Sequence, residues 1–307
     1  MVSVIIPTLN AAGRIRQLVE QLRAQSEKAA EIIVVDSASD DGTAEVAASF
    51  GCSVHQIARR RFDHGGNRNF GADKASGDIL VFLTQDALPV SADFLERLTA
   101  PIREGRAAGT YARQIPAADA TPTETFARLY NYPPVSSVRH VSHLRRRTLR
   151  SFFFSNAASA VSRIAFESVG RFPTPVPSNE DMLLCARLLD AGHRVAYVAE
   201  AEVVHSHSLT LPKTFRRYFR TGLAVREYRD TLGPVRGSGD GVDFVSRQIA
   251  YLWRLGRPYL IPRALTEAGV KALAYYCGQA LPSGRRGCEA QPYAFMETKT
   301  NNGKAPS

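Results

Sequence analysis

The sequence has 307 residues, of which 44% are hydrophobic and 22% charged, a composition that suits one large domain or two small ones and excludes a disordered chain. Its 39 Lys and Arg residues outnumber 29 Asp and Glu residues, so the net charge is +10, which favours a nucleic acid, a phosphorylated ligand or an anionic membrane as neighbour. The chain has no apolar run of the roughly 18 to 20 residues that span a bilayer, no evident signal peptide and no CxxC spacing among its four cysteines. Zinc sites and disulfide frameworks are therefore not expected. The expected protein is reduced and cytoplasmic.

The first hundred residues alternate short apolar runs with helical periods. Strands are predicted over 2–6, 32–35, 53–57 and 79–83, and helices from 13, over 43–50 and over 66–75. Continuous apolar strands separated by helices predict an α/β fold, with a parallel sheet covered on both faces. Ligands of such sheets bind beyond the carboxyl ends of the strands. The polar residues at these ends are Thr8 and Asn10, Asp36 and Ser37, and Gln85 and Asp86.

After residue 101 the pattern loosens. In chain order the sequence predicts a strand over 108–114, a stretch punctuated by prolines over 116–134, a basic stretch over 139–150, a helix from 164, an amphipathic helix over 180–191, and closing strands over 195–198 and 203–204. From 212 onward the helical patterns are rich in Arg and aromatic residues. This last region is predicted to be a helical extension.

Five short motifs carry a family resemblance. They are Val4-Ile5-Ile6-Pro7-Thr8-Leu9-Asn10, Val34-Val35-Asp36-Ser37 with Asp41-Gly42-Thr43, Gly66-Asn67-Arg68-Asn69-Phe70-Gly71-Ala72, Thr84-Gln85-Asp86-Ala87, and Asn179-Glu180-Asp181. In that order and spacing they resemble the family 2 glycosyltransferases with a GT-A fold, over about residues 2–210. The run 62–69 (Phe-Asp-His-Gly-Gly-Asn-Arg-Asn) and the run 204–208 (Val-His-Ser-His-Ser) resemble the rhamnosyltransferase branch.

The resemblance implies a Rossmann-like, mostly parallel sheet flanked by helices, and an inverting transfer from a nucleoside-diphosphate sugar. The expected donor is dTDP-L-rhamnose, and the expected acceptor is a saccharide or lipid-linked saccharide in surface polysaccharide synthesis; UDP- and GDP-sugars stay open as donors. The expected organisation is a GT-A domain over 1–210, with a nucleotide-sugar half (1–100) and an acceptor half (101–210), then an extension over 211–285 and a flexible tail over 286–307.

The resemblance also assigns candidate donor-binding residues. They are Pro7, Thr8, Asn10, Asp36, Ser37, Asp41, Arg68 and Gln85. A departing diphosphate builds negative charge, so the site needs a divalent cation or Arg and Lys clamps. Asp86 follows a buried strand and is placed to bind Mg²⁺ or Mn²⁺, and the resemblance permits His205 as a further metal contact. The family motif usually has a carboxylate where this chain has Gln85, so metal dependence stays open.

Asp181 is the candidate catalytic base. An inverting transfer needs a carboxylate that takes the proton of the acceptor hydroxyl, and in the family the Asp of the Glu-Asp pair has this role. Glu180 and Asn156 are expected on the acceptor side of the site. The alternative is that Glu180 and Asp181 only stabilise the N-terminus of a helix.

Two basic aromatic segments, 213–229 and 244–263, leave two interpretations open. They suit peripheral contact with an anionic membrane, on the inner face of the cytoplasmic membrane, and they equally suit a solvated helix face above an aromatic core. A nucleic-acid-binding protein is not expected, because no such motif is present and acidic residues at strand ends repel phosphate. A nucleotidyltransferase would share the nucleotide, the Mg²⁺ and the parallel sheet, but would release pyrophosphate.

Overall fold

The computed structural model describes residues 1–144, 147–206, 209–233 and 240–281. The predicted tail over 286–307, Arg145, Arg146 and His207 lie outside the described residues. The strands are β1 (Val2–Thr8), β2 (Glu31–Asp36), β3 (Ser53–Gln56), β4 (Ile79–Leu83), β5 (Leu88–Pro89), β6 (Gly109–Ile115), β7 (Ser137–Arg139), β8 (Ala158–Ser162) and β9 (Val195–Val204). The helices are α1 (Ala12–Arg23), α2 (Thr43–Ser49), α3 (His64–Lys74), α4 (Phe94–Arg103), α5 (Pro122–Asn131), α6 (Arg163–Ser168), α7 (Glu180–Asp190), α8 (Leu211–Glu227), α9 (Arg229–Leu232), α10 (Asp240–Arg254) and α11 (Ile261–Ala280).

The strands described form one mixed sheet. Its order is β3-β2-β1-β4-β8-β6-β9-β5, and β7 pairs with β9. The first four of these strands are parallel, β8 is antiparallel to both neighbours, and β6 and β9 are parallel again. The α/β prediction is confirmed, and the parallel half lies in the first hundred residues, as the apolar strand pattern indicates.

Each face of the sheet buries its own apolar core. Alternate residues of β1 point to opposite faces: Ile5 belongs to the core beside α7, and Val4 and Ile6 belong to the core beside α1 and α4. This double burial explains why the strands read as continuous apolar runs. It leaves the carboxyl ends of β1, β2 and β4 as the polar edge on which a ligand site can form.

Besides short elements that were not predicted, among them β5, α4 and β7, two stretches differ in kind from their prediction. The stretch punctuated by prolines contains helix α5, whose Thr121 side chain accepts a hydrogen bond from the Glu124 N–H (3.4 Å), and proline is tolerated in a first helical turn. The two predicted closing strands are one strand, β9. Its pairing with β6 shifts register after Val198, so that Arg113 pairs with Glu202; this irregularity interrupts the apolar pattern.

Two glycines allow helices α8 and α11 of the extension to pack closely against each other. A Cβ at Gly222 in α8 would lie 2.1 Å from the Tyr275 carbonyl oxygen, and a Cβ at Gly278 in α11 would lie 2.2 Å from that of Phe219. The two helix backbones therefore touch, and only glycine fits at these crossing points. Helix α10 joins the extension to α5 through Phe244, whose ring centroid lies 5.2 Å from that of Phe126.

Two arginines of the basic stretch are held by contacts within the fold. Arg147 forms a bidentate ion pair with Asp190 (2.8 and 2.9 Å) and donates to the Leu232 carbonyl. Arg139 donates to backbone carbonyls of 150–153. Arg147 thereby ties the basic stretch to α7 and α9, and Arg139 ties the two ends of that stretch to each other. Within the described residues, no helix combines the length and the apolarity that a membrane crossing requires.

Candidate active site

One side of the candidate site is built where β1 and β2 end. The Asp36 carboxylate is fully buried and accepts hydrogen bonds from the Thr8 hydroxyl (2.9 Å) and the Ser39 N–H (2.9 Å). The neighbouring Ser37 N–H donates to the Thr8 carbonyl (2.9 Å). Pro7 is half-buried on the same strand end. The structure thus brings together these predicted residues at one edge of the sheet.

The loop after β1 is tied to the loop after β2. The Asn10 side chain, which is exposed, accepts from the Asp40 N–H (3.0 Å), and the Asp41 carboxylate accepts from the Ala12 N–H (3.0 Å) at the start of α1. Asp41 also accepts from the Thr43 N–H (3.1 Å). Asn10 adopts a left-handed backbone conformation, with φ of 49°, which asparagine tolerates better than most residues. Asp41 therefore orders the loop from within, and Asn10 lies at its surface.

Gln85 clamps the same loop from the β4 side. Its side-chain oxygen accepts from the Leu9 N–H (2.8 Å), and its side-chain nitrogen donates to the Leu9 carbonyl (3.1 Å). Gln85 is buried. A carboxylate at this position could accept but not donate, so only an amide satisfies both backbone groups of Leu9. This geometry explains why glutamine, rather than a carboxylate, fits at position 85.

Asp86 and His205, which are 119 positions apart in the sequence, lie side by side in the structure. The distance between His205 Nε2 and Asp86 Oδ1 is 3.6 Å, and Arg14 Nη1 lies 3.8 Å from Asp86 Oδ2. Both Asp86 and His205 are largely buried. His205 Nδ1 is hydrogen-bonded to Gln114 Oε1 (2.9 Å), which orients the ring so that Nε2 faces Asp86.

These two side chains fit a Mg²⁺ or Mn²⁺ ion. Neighbouring ligands of an octahedral Mg²⁺ ion are about 3 Å apart, so a small adjustment of the 3.6 Å separation would place both on one ion. No cluster of three or more His, Cys, Asp or Glu that could hold a metal is present in the described ranges. Magnesium sites with one or two protein ligands are completed by phosphate oxygens and water, so this pair suits an ion that arrives with a phosphorylated ligand.

Gln114 and Arg128 belong to the site and were missed from the sequence. Gln114 accepts from Arg128 Nη1 (2.5 Å) and donates to the Ser155 hydroxyl (2.7 Å), besides its bond to His205. Arg128 Nε is buried without a hydrogen-bond partner, and desolvation lowers the pKa of Arg128. Gln114 ends a predicted strand, so the rule that identified Asp36 could have identified it. Arg128 lies on α5, which was not predicted.

The Glu180–Asp181 pair begins α7 and is held by Asn156. The Asn156 N–H donates to Asp181 Oδ2 (3.2 Å), and its side-chain amide donates to Glu180 Oε1 (3.2 Å). Arg68 Nη1 also contacts Glu180 Oε1 (3.1 Å), with both side chains buried. The structure thus brings Asp181, Glu180 and Asn156 together. Arg68 also donates a hydrogen bond to the His64 carbonyl (2.9 Å).

The pKa values of the two adjacent carboxyl groups are shifted in opposite directions. Burial, and then the negative charge of Glu180, raise the pKa of Asp181 to about 7. The pKa of Glu180 is lowered: burial opposes ionisation there, but the Arg68 guanidinium, His64 and the Asn156 amide favour it more strongly. Desolvation lowers the pKa of His64. One carboxylate is therefore kept charged by its partners while the other titrates near neutral pH, as suits a general base.

A chain of hydrogen bonds links the two halves of the site. It runs from His205 through Gln114 to Ser155, which precedes Asn156, the residue whose N–H holds Asp181. The candidate metal ligands and the candidate base therefore line one site at the carboxyl ends of the strands. Such a site can hold a charged phosphorylated ligand at one end and accept a proton at the other.

Comparisons with known proteins agree with this architecture. The model of the family described as glycosyl transferase family 2 matches residues 3–170. The O-antigen chain rhamnosyltransferase RfbN of Salmonella typhimurium is 35% identical over 92% of this chain and 91% of its own length. The corresponding enzyme WbaN of Salmonella anatum is 34% identical over 91% and 90%.

Solved structures show the same fold at lower identity. The mannosyltransferase PcManGT from Pyrobaculum calidifontis, in complex with GDP-Man and Mn²⁺, matches 89% of this chain and 75% of its own, with a TM-score of 0.57 and 20% identity. TarS 1–349 of S. aureus, in complex with UDP-GlcNAc, matches 91% and 90%, with a TM-score of 0.54 and 15% identity. The GT-A prediction is confirmed. Given the family match and the two relatives above 30% identity, this chain belongs to glycosyltransferase family 2.

Proposed function

We propose that this glycosyltransferase moves L-rhamnose from dTDP-L-rhamnose to a saccharide or lipid-linked saccharide acceptor in surface polysaccharide synthesis. Two relatives named as O-antigen chain rhamnosyltransferases cover about nine-tenths of the chain. The observation that carries the reaction type is the Asp181 carboxylate, whose pKa is raised to about 7 beside a charged Glu180. The proposed reaction proceeds in one step, with inversion at the anomeric carbon.

In this reaction Asp181 acts as the general base. Its carboxylate takes the proton of the acceptor hydroxyl while the hydroxyl oxygen attacks the anomeric carbon from the face opposite the leaving diphosphate. The bond from the anomeric carbon to the diphosphate breaks, and its electron pair leaves with the phosphate. The Asn156 and Met182 N–H groups hold the two oxygens of Asp181 (3.2 and 2.8 Å), which fixes the direction of the carboxylate.

The leaving diphosphate is assigned to the opposite end of the site. Asp86 and His205 would hold a Mg²⁺ or Mn²⁺ ion, which when bound neutralises charge on the diphosphate; PcManGT is described with Mn²⁺. Arg128 supplies a fixed positive charge close to this pair, through its bond to Gln114. The unpartnered Nε of Arg128 makes it a candidate contact for a phosphate oxygen.

The nucleoside is assigned to the strand ends of β1 and β2. Pro7, Asn10 and Asp36 are proposed to contact it, while Thr8, Ser37, Asp41 and Gln85 shape the loops around it through the hydrogen bonds described above. We assign Arg68 to the base side of the site, because it is buried against Glu180. We further propose that the enzyme works in the cytoplasm, in peripheral contact with an anionic membrane that carries the acceptor.

A thermal-shift panel of nucleoside diphosphates and nucleotide sugars, with and without Mn²⁺, tests the donor. We expect the largest stabilisation from dTDP and dTDP-L-rhamnose in the presence of Mn²⁺, since a ligand that binds only the folded state stabilises it. A transfer assay then follows the released nucleotide. Release of dTDP supports a glycosyltransfer to the acceptor, whereas pyrophosphate release would identify a nucleotidyltransferase. A shift with UDP or GDP alone would overturn the choice of dTDP.

A further inference from the structure

The turn between α10 and α11 presents an unusual surface. Residues 253–259 read Trp-Arg-Leu-Gly-Arg-Pro-Tyr, and all seven are exposed. Trp253 is 68% exposed, Leu255 46% and Tyr259 71%. Three large exposed apolar side chains within seven residues make this turn a candidate contact surface. We call residues 253–259 the aromatic turn.

The charge of the aromatic turn indicates what it contacts. Arg254 and Arg257 alternate with the apolar residues, and the turn contains no acidic residue. Tryptophan and tyrosine prefer the headgroup level of a bilayer, where one part of the ring is apolar and the other is hydrated. Arginine side chains can extend to anionic phosphates while their carbon stems stay in apolar surroundings. This combination of aromatic rings and unopposed arginines complements an anionic lipid surface.

The aromatic turn is connected to the candidate active site through packed helices. Helix α10 packs on α5, which carries Arg128, and helix α11 packs on α8. The first turns of α8 and α11 line one cleft, with Leu211 and Arg263 among its walls, and α8 follows the His205 segment in the chain. A membrane contact at the aromatic turn would therefore place the bilayer in a fixed relation to the site.

We propose that the aromatic turn inserts into the headgroup layer of an anionic membrane, with Trp253, Leu255 and Tyr259 as its apolar anchors and Arg254 and Arg257 as its phosphate contacts. This proposal rests on the proposed lipid-linked acceptor, because it explains how the enzyme meets that acceptor. It differs from a diffuse attraction of the basic extension, since it assigns the contact to seven residues.

The lone tryptophan makes the proposal directly measurable. Trp253 is the chain's only tryptophan, so its emission reports on the turn alone. With the full-length protein and phosphatidylcholine vesicles containing phosphatidylglycerol, we expect a blue shift and protection from acrylamide quenching. Vesicles of phosphatidylcholine alone should give neither. Vesicle binding with an unchanged Trp253 emission would overturn the proposal.

Charge variants distinguish membrane binding by the aromatic turn from membrane binding by the rest of the extension. Each Arg near an anionic surface contributes about a fivefold change in affinity, so Arg254→Gln with Arg257→Gln should weaken vesicle binding roughly 20- to 30-fold. The matched control is Lys213→Gln with Arg216→Gln, which removes the same charge from two exposed positions of α8. If both pairs weaken binding equally, the contact is diffuse and the proposal fails.

Further measurements distinguish this proposal from the proposed function. Leu255→Ser with Tyr259→Ser should reduce vesicle binding but keep the rate of transfer to a water-soluble saccharide acceptor. If transfer from dTDP-L-rhamnose fails while Trp253 responds to vesicles, only the proposed function is overturned. If the same variants abolish a concentration-dependent dimer in sedimentation velocity without lipid, the turn instead binds a second copy of the chain, and the membrane proposal is overturned.

Discussion

Replacement of Asp181 by asparagine tests the proposed base through stability as well as through activity. The side chain keeps its size, but the group that takes the proton is lost. General base catalysis contributes about 10²- to 10⁴-fold to a rate, so transfer should fall by that order while donor binding is kept. The wild-type kcat should rise with pH and reach half its maximum near pH 7, where Asp181 ionises.

The stability of the same variant follows from the pKa of Asp181. The folded-state pKa, about 7, lies above the ordinary value of 3.8, so the unfolded chain ionises first as pH rises. The free energy of unfolding of the wild type therefore falls progressively as the pH rises from 4 to 7, by up to about 1.4 kcal/mol per pH unit. Asparagine does not ionise, so the stability advantage of the variant should grow by about 2 to 3 kcal/mol between pH 5 and pH 8.

Urea unfolding at pH 5, 7 and 8 measures this difference. The matched control is Asp119→Asn, which changes an exposed carboxylate and should leave the difference from wild type nearly independent of pH. An Asp181→Asn variant whose stability relative to wild type is the same at pH 5 and pH 8 would refute the raised pKa. A variant that keeps most of its turnover would refute the role as base.

Three further predictions concern the scaffold and the metal. Gly222→Ala places a methyl group against the backbone of α11 and should destabilise the extension in urea unfolding by about 1 to 3 kcal/mol, whereas Gly269→Ala, which faces open space, should be neutral or stabilising. Gln85→Glu removes the donor for the Leu9 carbonyl and should lower stability by about 1 to 3 kcal/mol; an unchanged melting temperature would contradict the clamp. Asp86→Ala should weaken Mn²⁺ binding in the presence of dTDP by roughly tenfold or more in calorimetry, and an unchanged titration would remove Asp86 from the metal site.

The sequence predicts the parallel half of the fold well because its strands are buried on both faces. Apolar runs at β1, β2 and β4 leave no ambiguity about direction once helices separate them. The second half is harder, since β8 reverses direction and β9 contains a register shift that divides its apolar pattern. The sequence does not predict helix α5, although Thr121 and Glu124 form part of a helix-start pattern, because the surrounding prolines favour a loop.

The roles assigned to the site residues stay predictions, but the structure places several of these residues together. Asp181 lies with Asn156 and Glu180, and Asp86 lies beside His205. A linear motif does not show which polar group forms a hydrogen bond with which partner. The Gln85 amide turns to the Leu9 backbone, and Arg68 turns to Glu180, because buried polar groups must find partners. Those partners come from distant elements and are set only by the folded chain.

The configuration of the product tests the central claim most directly. The account assigns one base, Asp181, and a single displacement at the anomeric carbon. With dTDP-L-rhamnose and a saccharide acceptor, nuclear magnetic resonance of the isolated product should show a rhamnosyl linkage with the anomeric configuration opposite to that of the donor. A product with the donor's configuration would require two displacements and would contradict the role assigned to Asp181.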